Sequence, residues 1–157
     1  MEWQVPTLSE EQQERVRAWI RELRGENGRV WPQGRHGLVT LGPDGEPAGF
    51  CCLGVACEVA VAGGAPVRWE NTPAARRYYW PGFLGPDSST TSLPPVVMEW
   101  FGFDLSAPLV LPQGGVRPPS VIQLNDTAGF TFAQIADRVE QTYLPQDWEV
   151  RQGADVA

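Results

Sequence analysis

Lysine is absent from this chain and histidine occurs once, so twelve arginines carry all the positive charge, against nineteen aspartates and glutamates. The net charge of −7 argues against a protein that grips a nucleic-acid polymer through its phosphates, which needs a basic face, and leaves room only for a local basic pocket. It also argues against docking on an anionic membrane surface. No apolar run approaches the roughly 20 residues that span a bilayer. Residues 1–14 are polar and acidic, without the basic start and apolar middle of a secretion signal, which leads to the expectation of a cytoplasmic protein.

Cysteine is scarce. The three thiols, Cys51, Cys52 and Cys57, are an odd number with no secretion signal, so they read as reduced side chains serving as small apolar residues. Without a Cys-x2-Cys pair, and with His36 alone, a zinc ligand set is not recognisable. Phosphate-cradling loops, Gly-x-Ser-x-Gly elbows and His-Glu-x-x-His helices are missing, and the acids are scattered singletons. The sequence therefore holds no complete catalytic set and calls for no cofactor or metal, and it favours a binding protein over an enzyme.

What is present is a chain of one-domain length, 157 residues, rich in Gly, Pro and Trp. Ser9 with Gln12 forms a capping box ahead of Val16, Trp19, Ile20 and Leu23, which predicts a helix over about 10–24 closed by Gly25. Gly42-Pro43-Asp44-Gly45 is a turn within a hairpin over about 37–51, and Val30-Trp31 is a further short strand candidate. The small apolar run from Cys51 to Ala62 predicts a buried helix, in which Gly54 implies close approach to another backbone. Residues 63–92 read as an irregular excursion with a loop at Ser88–Ser92. Leu93-Pro94-Pro95 opens a short helix that stops at Gly102, and Ser120 starts a helical turn. Asn125 to Gly129 form a turn before a last helix, which is capped by Thr131 with Gln134 and ended by Pro145. The expected fold is α+β, about four helices on a small antiparallel sheet. The expected organisation is an N-terminal tail over 1–8, one globular domain over 9–149 and a loose tail over 150–157.

Three segments can carry recognition. Arg76-Arg77-Tyr78-Tyr79-Trp80 combines guanidinium forks, which bond phosphate in pairs, with ring faces that stack on a base. Asn125-Asp126 offers an amide and a carboxylate for a ligand's hydroxyls. The Gly-spaced loop holding Trp31, Arg35 and His36 can form a rim. The binding candidates are therefore Arg76, Arg77, Tyr79, Trp80, Asn125, Asp126, Trp31, Arg35 and His36.

The run Phe50-Cys51-Cys52-Leu53-Gly54-Val55-Ala56-Cys57, together with Leu124-Asn125-Asp126 followed by Thr131-Phe132 and Ile135-Ala136, resembles a family of small phage and prophage proteins common in actinobacterial phages. Trp19-Ile20, Leu23-Arg24, Gln33-Gly34 and Leu93-Pro94 with Trp100-Phe101-Gly102 extend the likeness over about 15–141, with residues 63–92 departing from it. The resemblance implies a phage accessory protein in the host cytoplasm, and some such proteins blunt host defence by sequestering a nucleotide signal. The expected function is capture of a small anionic, nucleotide-like ligand, with a homo-oligomer left open. Two alternatives stand beside it: a cysteine-dependent enzyme using Cys51 or Cys52 with His36, and an inhibitor that binds a host enzyme.

Overall fold

A computed structural model describes residues 3–82, 85–115 and 117–156. Their core is built around α1 (Glu10–Leu23), whose buried stripe is Val16, Trp19, Ile20 and Leu23. The Ser9 hydroxyl accepts from the Gln12 amide and the Gln12 side chain accepts from the Ser9 N–H, the predicted reciprocal cap. Trp19 is wholly buried; its indole N–H donates to the Cys52 carbonyl at 2.9 Å, and its ring meets Phe101 and Phe103 at 5.9 and 5.7 Å between centroids.

The hairpin pairs β1 (Val39–Leu41) with β2 (Pro47–Phe50), and Gly45 turns it with φ +79°. Segment 32–34 lies along β2, with the Gly34 N–H on the Phe50 carbonyl and the Phe50 N–H on that of Pro32. No strand forms at Val30-Trp31. Trp31 instead folds edge-on against Phe50 at 4.8 Å.

The hairpin leads into α2 (Cys52–Ala62), buried along most of its length. A helix apolar all round belongs in the middle of a fold. Gly54 permits this placement: a Cβ there would lie 1.9 Å from the Leu38 carbonyl oxygen.

Residues 63–92 differ from expectation. They form an antiparallel sheet of β3 (Arg68–Asn71), β4 (Arg76–Gly82) and β5 (Gly85–Ser89). Its organising feature is alternation along β4, where Arg76 and Tyr78 are buried and Arg77 is exposed. The Ser88–Ser92 run is correspondingly part strand, and its end is tied by the Ser89 hydroxyl to Ser92.

Helices α3 (Pro95–Phe101), α4 (Val121–Asp126) and α5 (Phe132–Tyr143) follow, with capping boxes at Ser120 and Thr131. Pro145 ends α5 and also opens α6 (Pro145–Val156). The architecture is α+β as expected, but with six helices and two small sheets among the described residues instead of about four helices and one sheet. Ordered contacts and helix extend into the segments on either side of residues 9–149. Leu8 is buried and Trp3 donates to Asp104, while residues 150–156 continue α6; residues 1, 2 and 157 lie outside the described set. The last helix is fastened by Glu140, which accepts from Arg24 of α1 and Arg151 of α6. Burial alone would raise the Glu140 pKa, but these hydrogen bonds outweigh it and hold the carboxyl below its ordinary value.

Candidate functional site

The nine candidate residues fall into three places. The first is a polar clasp between α4 and the loop after Trp31. Asn125, fully buried, donates to the Gly34 carbonyl at 2.8 Å and to Asp126 at 2.7 Å, and accepts from Gln33 at 3.0 Å. Gln33 also donates to the Phe130 carbonyl. Asp126 accepts from the His36 N–H at 3.3 Å, with the His36 Nδ1 3.7 Å from the same oxygen. The pair thus sits in the last turn of α4, not at the opening of α5, and the Asn125 amide is engaged by the Gly34 carbonyl and the Gln33 and Asp126 side chains. His36 adopts φ +63°, the left-handed region, and its side chain is 79% exposed. Arg35 is exposed beside it, whereas Trp31 is buried under the Arg29 guanidinium.

The second place is interior. Arg76 is 5% exposed; it pairs with Glu58 of α2, donates to the Asn71 side chain at 3.0 Å and lies 3.5 Å from the Trp69 ring centroid. Every prominent feature of this guanidinium is therefore turned to the fold, and it joins the three-stranded sheet to α2. The Tyr78 hydroxyl is buried there, with no hydrogen-bond partner among the described residues.

The third place is the outer side of that sheet. Residues 65–68 and 79–82 line an open cavity of about 540 Å³, with Arg68, Tyr79 and Trp80 among its walls. Arg68 is paired with Tyr79 and Glu70 with Arg77, so these four share one face, while alternation sets Trp80 on the other with Arg76 and Tyr78, and Arg77 stands beside the cavity and not in its lining. Tyr79 donates to Glu70 at 2.7 Å, which raises the phenol's pKa. Among the described residues neither Arg68 nor Arg77 is within 4 Å of a carboxylate oxygen, and both are exposed to solvent. Arg68 was not a candidate on sequence; only the strand register that sets it against Tyr79 reveals it.

The thiols are elsewhere. All three are buried, and the Cys52 thiol donates to the Val121 carbonyl. Burial pushes Cys51 up to about 11, against weaker lowering by the Gly54 and Leu53 amides at the start of α2, and pushes Cys52 and Cys57 well up. A thiol near 11 is about a hundredfold less ionised at neutral pH than one at 9. Alkylation of the folded protein at pH 7.5 should accordingly run at about a hundredth of the rate in urea or slower, as read by mass spectrometry. Rapid labelling of Cys51 in the folded state would restore the case for a nucleophile. No three His, Cys, Asp or Glu side chains converge on a metal-sized space among the described residues. Nor is any helix among those residues long and apolar enough to cross a membrane.

Residues 13–143 match the model of the family described as Domain of unknown function (DUF8296), and the chain belongs to that family. No curated protein and no solved structure matches it. The matched stretch contains all three places described above.

Proposed function

We propose that this chain is a phage accessory protein that captures a small anionic, nucleotide-like molecule in the host cytoplasm, and that the cavity over the three-stranded sheet is where it does so. The observation that carries the reading is the placement of two unpaired guanidinium forks, Arg68 and Arg77, on the same sheet face as Tyr79, with Trp80 in the cavity wall. Arginine bonds phosphate in bidentate fashion and an aromatic face takes a base. The cavity lies in the size range of small-molecule sites and mixes apolar wall with few polar groups. Retention of a host immune nucleotide is the use that suits a small phage protein lacking a recognisable catalytic set.

In this reading the roles of the candidates divide. Arg77, Tyr79 and Trp80 touch ligand, joined by Arg68. Asn125 and Asp126 shape the loop that presents Arg35 and His36, and Arg76 and Trp31 support the walls from within. Calorimetric titration against cyclic dinucleotides and ADP-ribose derivatives tests it. Binding by at least one of them is expected, weakened about tenfold or more by Arg68→Ala and by Tyr79→Ala, with quenching of Trp80 fluorescence on saturation. No heat across the panel, or full affinity in both variants, would reject the reading.

A further inference from the structure

Strand β3 is the open edge of its sheet. All four of its residues, Arg68, Trp69, Glu70 and Asn71, are exposed, and among the described residues it pairs only with β4. Its hydrogen-bonding parity is set by the turn that follows, where the Thr72 N–H donates to the Ala75 carbonyl. In an antiparallel ladder bonded pairs alternate, so 72 with 75, 70 with 77 and 68 with 79 face inward to β4. Trp69 and Asn71 therefore aim their N–H and C=O groups away from the sheet, unpaired.

An exposed edge of this kind is a template for another strand. The side chains define which strand fits. Arg68 and Glu70 stand on one face, flanking Trp69 on the other. Read in the opposite direction, the same three residues present Glu, Trp and Arg. An antiparallel copy centred on Trp69 thus places Arg68 opposite Glu70 of the partner subunit and Glu70 opposite the partner's Arg68, with the two Trp69 residues as the bonded pair. Opposite charges directly across strands stabilise the pairing and like charges oppose it. Parity agrees with the charges, since a two-fold axis through a bonded pair requires the outward-facing residue at its centre, and Trp69 is such a residue. Tyr79 occupies one oxygen of Glu70 and leaves the second to accept. The Trp69 ring, covered by Arg76 on one side, is still 40% exposed. Pro66 and Pro73 bracket the strand and limit the seam to this short segment.

We infer that two copies of this chain associate through β3, joining their three-stranded sheets into one continuous six-stranded sheet across a two-fold axis at Trp69. The inference shares Arg68 with the ligand reading, but its outcome is read by mass and not by ligand heat, so either can fail without the other.

Sedimentation equilibrium of the full chain is the test, with circular dichroism confirming that each variant is folded. The wild-type chain is expected at twice the chain mass at high micromolar concentration. Arg68→Glu and Glu70→Arg each set like charges opposite one another in both rows and should raise the dimer dissociation constant about tenfold or more. Mixing the two variants restores opposite charges in both rows, so the mixture should regain the mass that each lacks alone. The double variant R68E/E70R should likewise return to a dimer. A wild-type chain that remains monomeric, single variants that dimerise as well as wild type, or a mixture that stays monomeric would each overturn the inference.

Discussion

Gly54→Ala is expected to destabilise the fold by more than about 4 kcal/mol, although alanine is the better helix former by about 1 kcal/mol. The new Cβ would lie 1.9 Å from the Leu38 carbonyl oxygen and 2.8 Å from its carbon, and both are backbone atoms that no rotamer change can move. Relief requires α2 to withdraw from the chain entering β1. That withdrawal breaks the hydrogen bond from the Cys51 N–H to the Leu38 carbonyl and loosens the wholly buried Leu53, Val55 and Ala56. It also strains the bond between the Trp19 indole and the Cys52 carbonyl, which ties α1 to the start of α2. Overpacking at one atom is therefore transmitted to two helices and the hairpin. Gly115→Ala is the control: a Cβ there meets nothing within 4 Å, and the change should stay within about 0.5 kcal/mol. Urea unfolding followed by Trp fluorescence measures both. A Gly54→Ala chain with an unfolding midpoint near that of wild type would show that the contact between α2 and Leu38 is not close.

The same glycine marks how far the residues alone could be read. Close approach at Gly54 was legible because a glycine inside an apolar helix has few other uses, and the caps at Ser9 and Thr131 were legible because they are local chemistry. Gly25 and Gly102 followed for the same reason: both take positive φ just past α1 and α3. The sheet over 68–89 was not legible. Its connection at Thr72-Pro73-Ala74-Ala75 has no Asn-Gly or Asp-Gly signal, and Pro81 falls inside β4. Alternation shows that Arg76 and Arg77 face opposite ways, yet only tertiary packing decides which faces in. The structure turns Arg76 to Glu58 and leaves Arg77 outside, so the expected pair of forks, Arg76 with Arg77, is not presented on one surface. The surroundings of Asn125 were not legible for a related reason. A buried amide and a ligand-reading amide look alike in sequence, and it is the structure that sets this one against the Gly34 carbonyl and the Gln33 side chain.

Arg76 also offers the clearest measure of how this sheet is held. Removing it by Arg76→Leu leaves Glu58 half-buried without its cation, a loss that costs about 3–5 kcal/mol when one partner of a buried pair is removed. Replacing both residues, as R76L/E58L, should regain most of that loss, because it is the uncompensated charge that destabilises, while an apolar pair of similar volume is tolerated. The pH dependence separates this account from simple loss of packing. In the native chain burial raises the Glu58 pKa, opposed chiefly by the neighbouring Arg76 charge. Deleting the guanidinium removes the opposing cause, so the folded-state pKa moves further above the unfolded value of about 4.3. A group with a raised folded pKa binds its proton more tightly in the folded state. Its favourable contribution is complete below the unfolded pKa and disappears as pH rises through the folded one. The stability deficit of Arg76→Leu should therefore be largest near pH 7 and shrink as pH falls towards 4.3, whereas that of R76L/E58L, which lacks the titrating carboxyl, should not shrink over the same window. Parallel urea titrations from pH 4.5 to 7.5 read this directly. A deficit in Arg76→Leu that does not change with pH would mean that Arg76 holds β4 to α2 through its stacking on Trp69 and its bond to Asn71, and that the Glu58 charge contributes little.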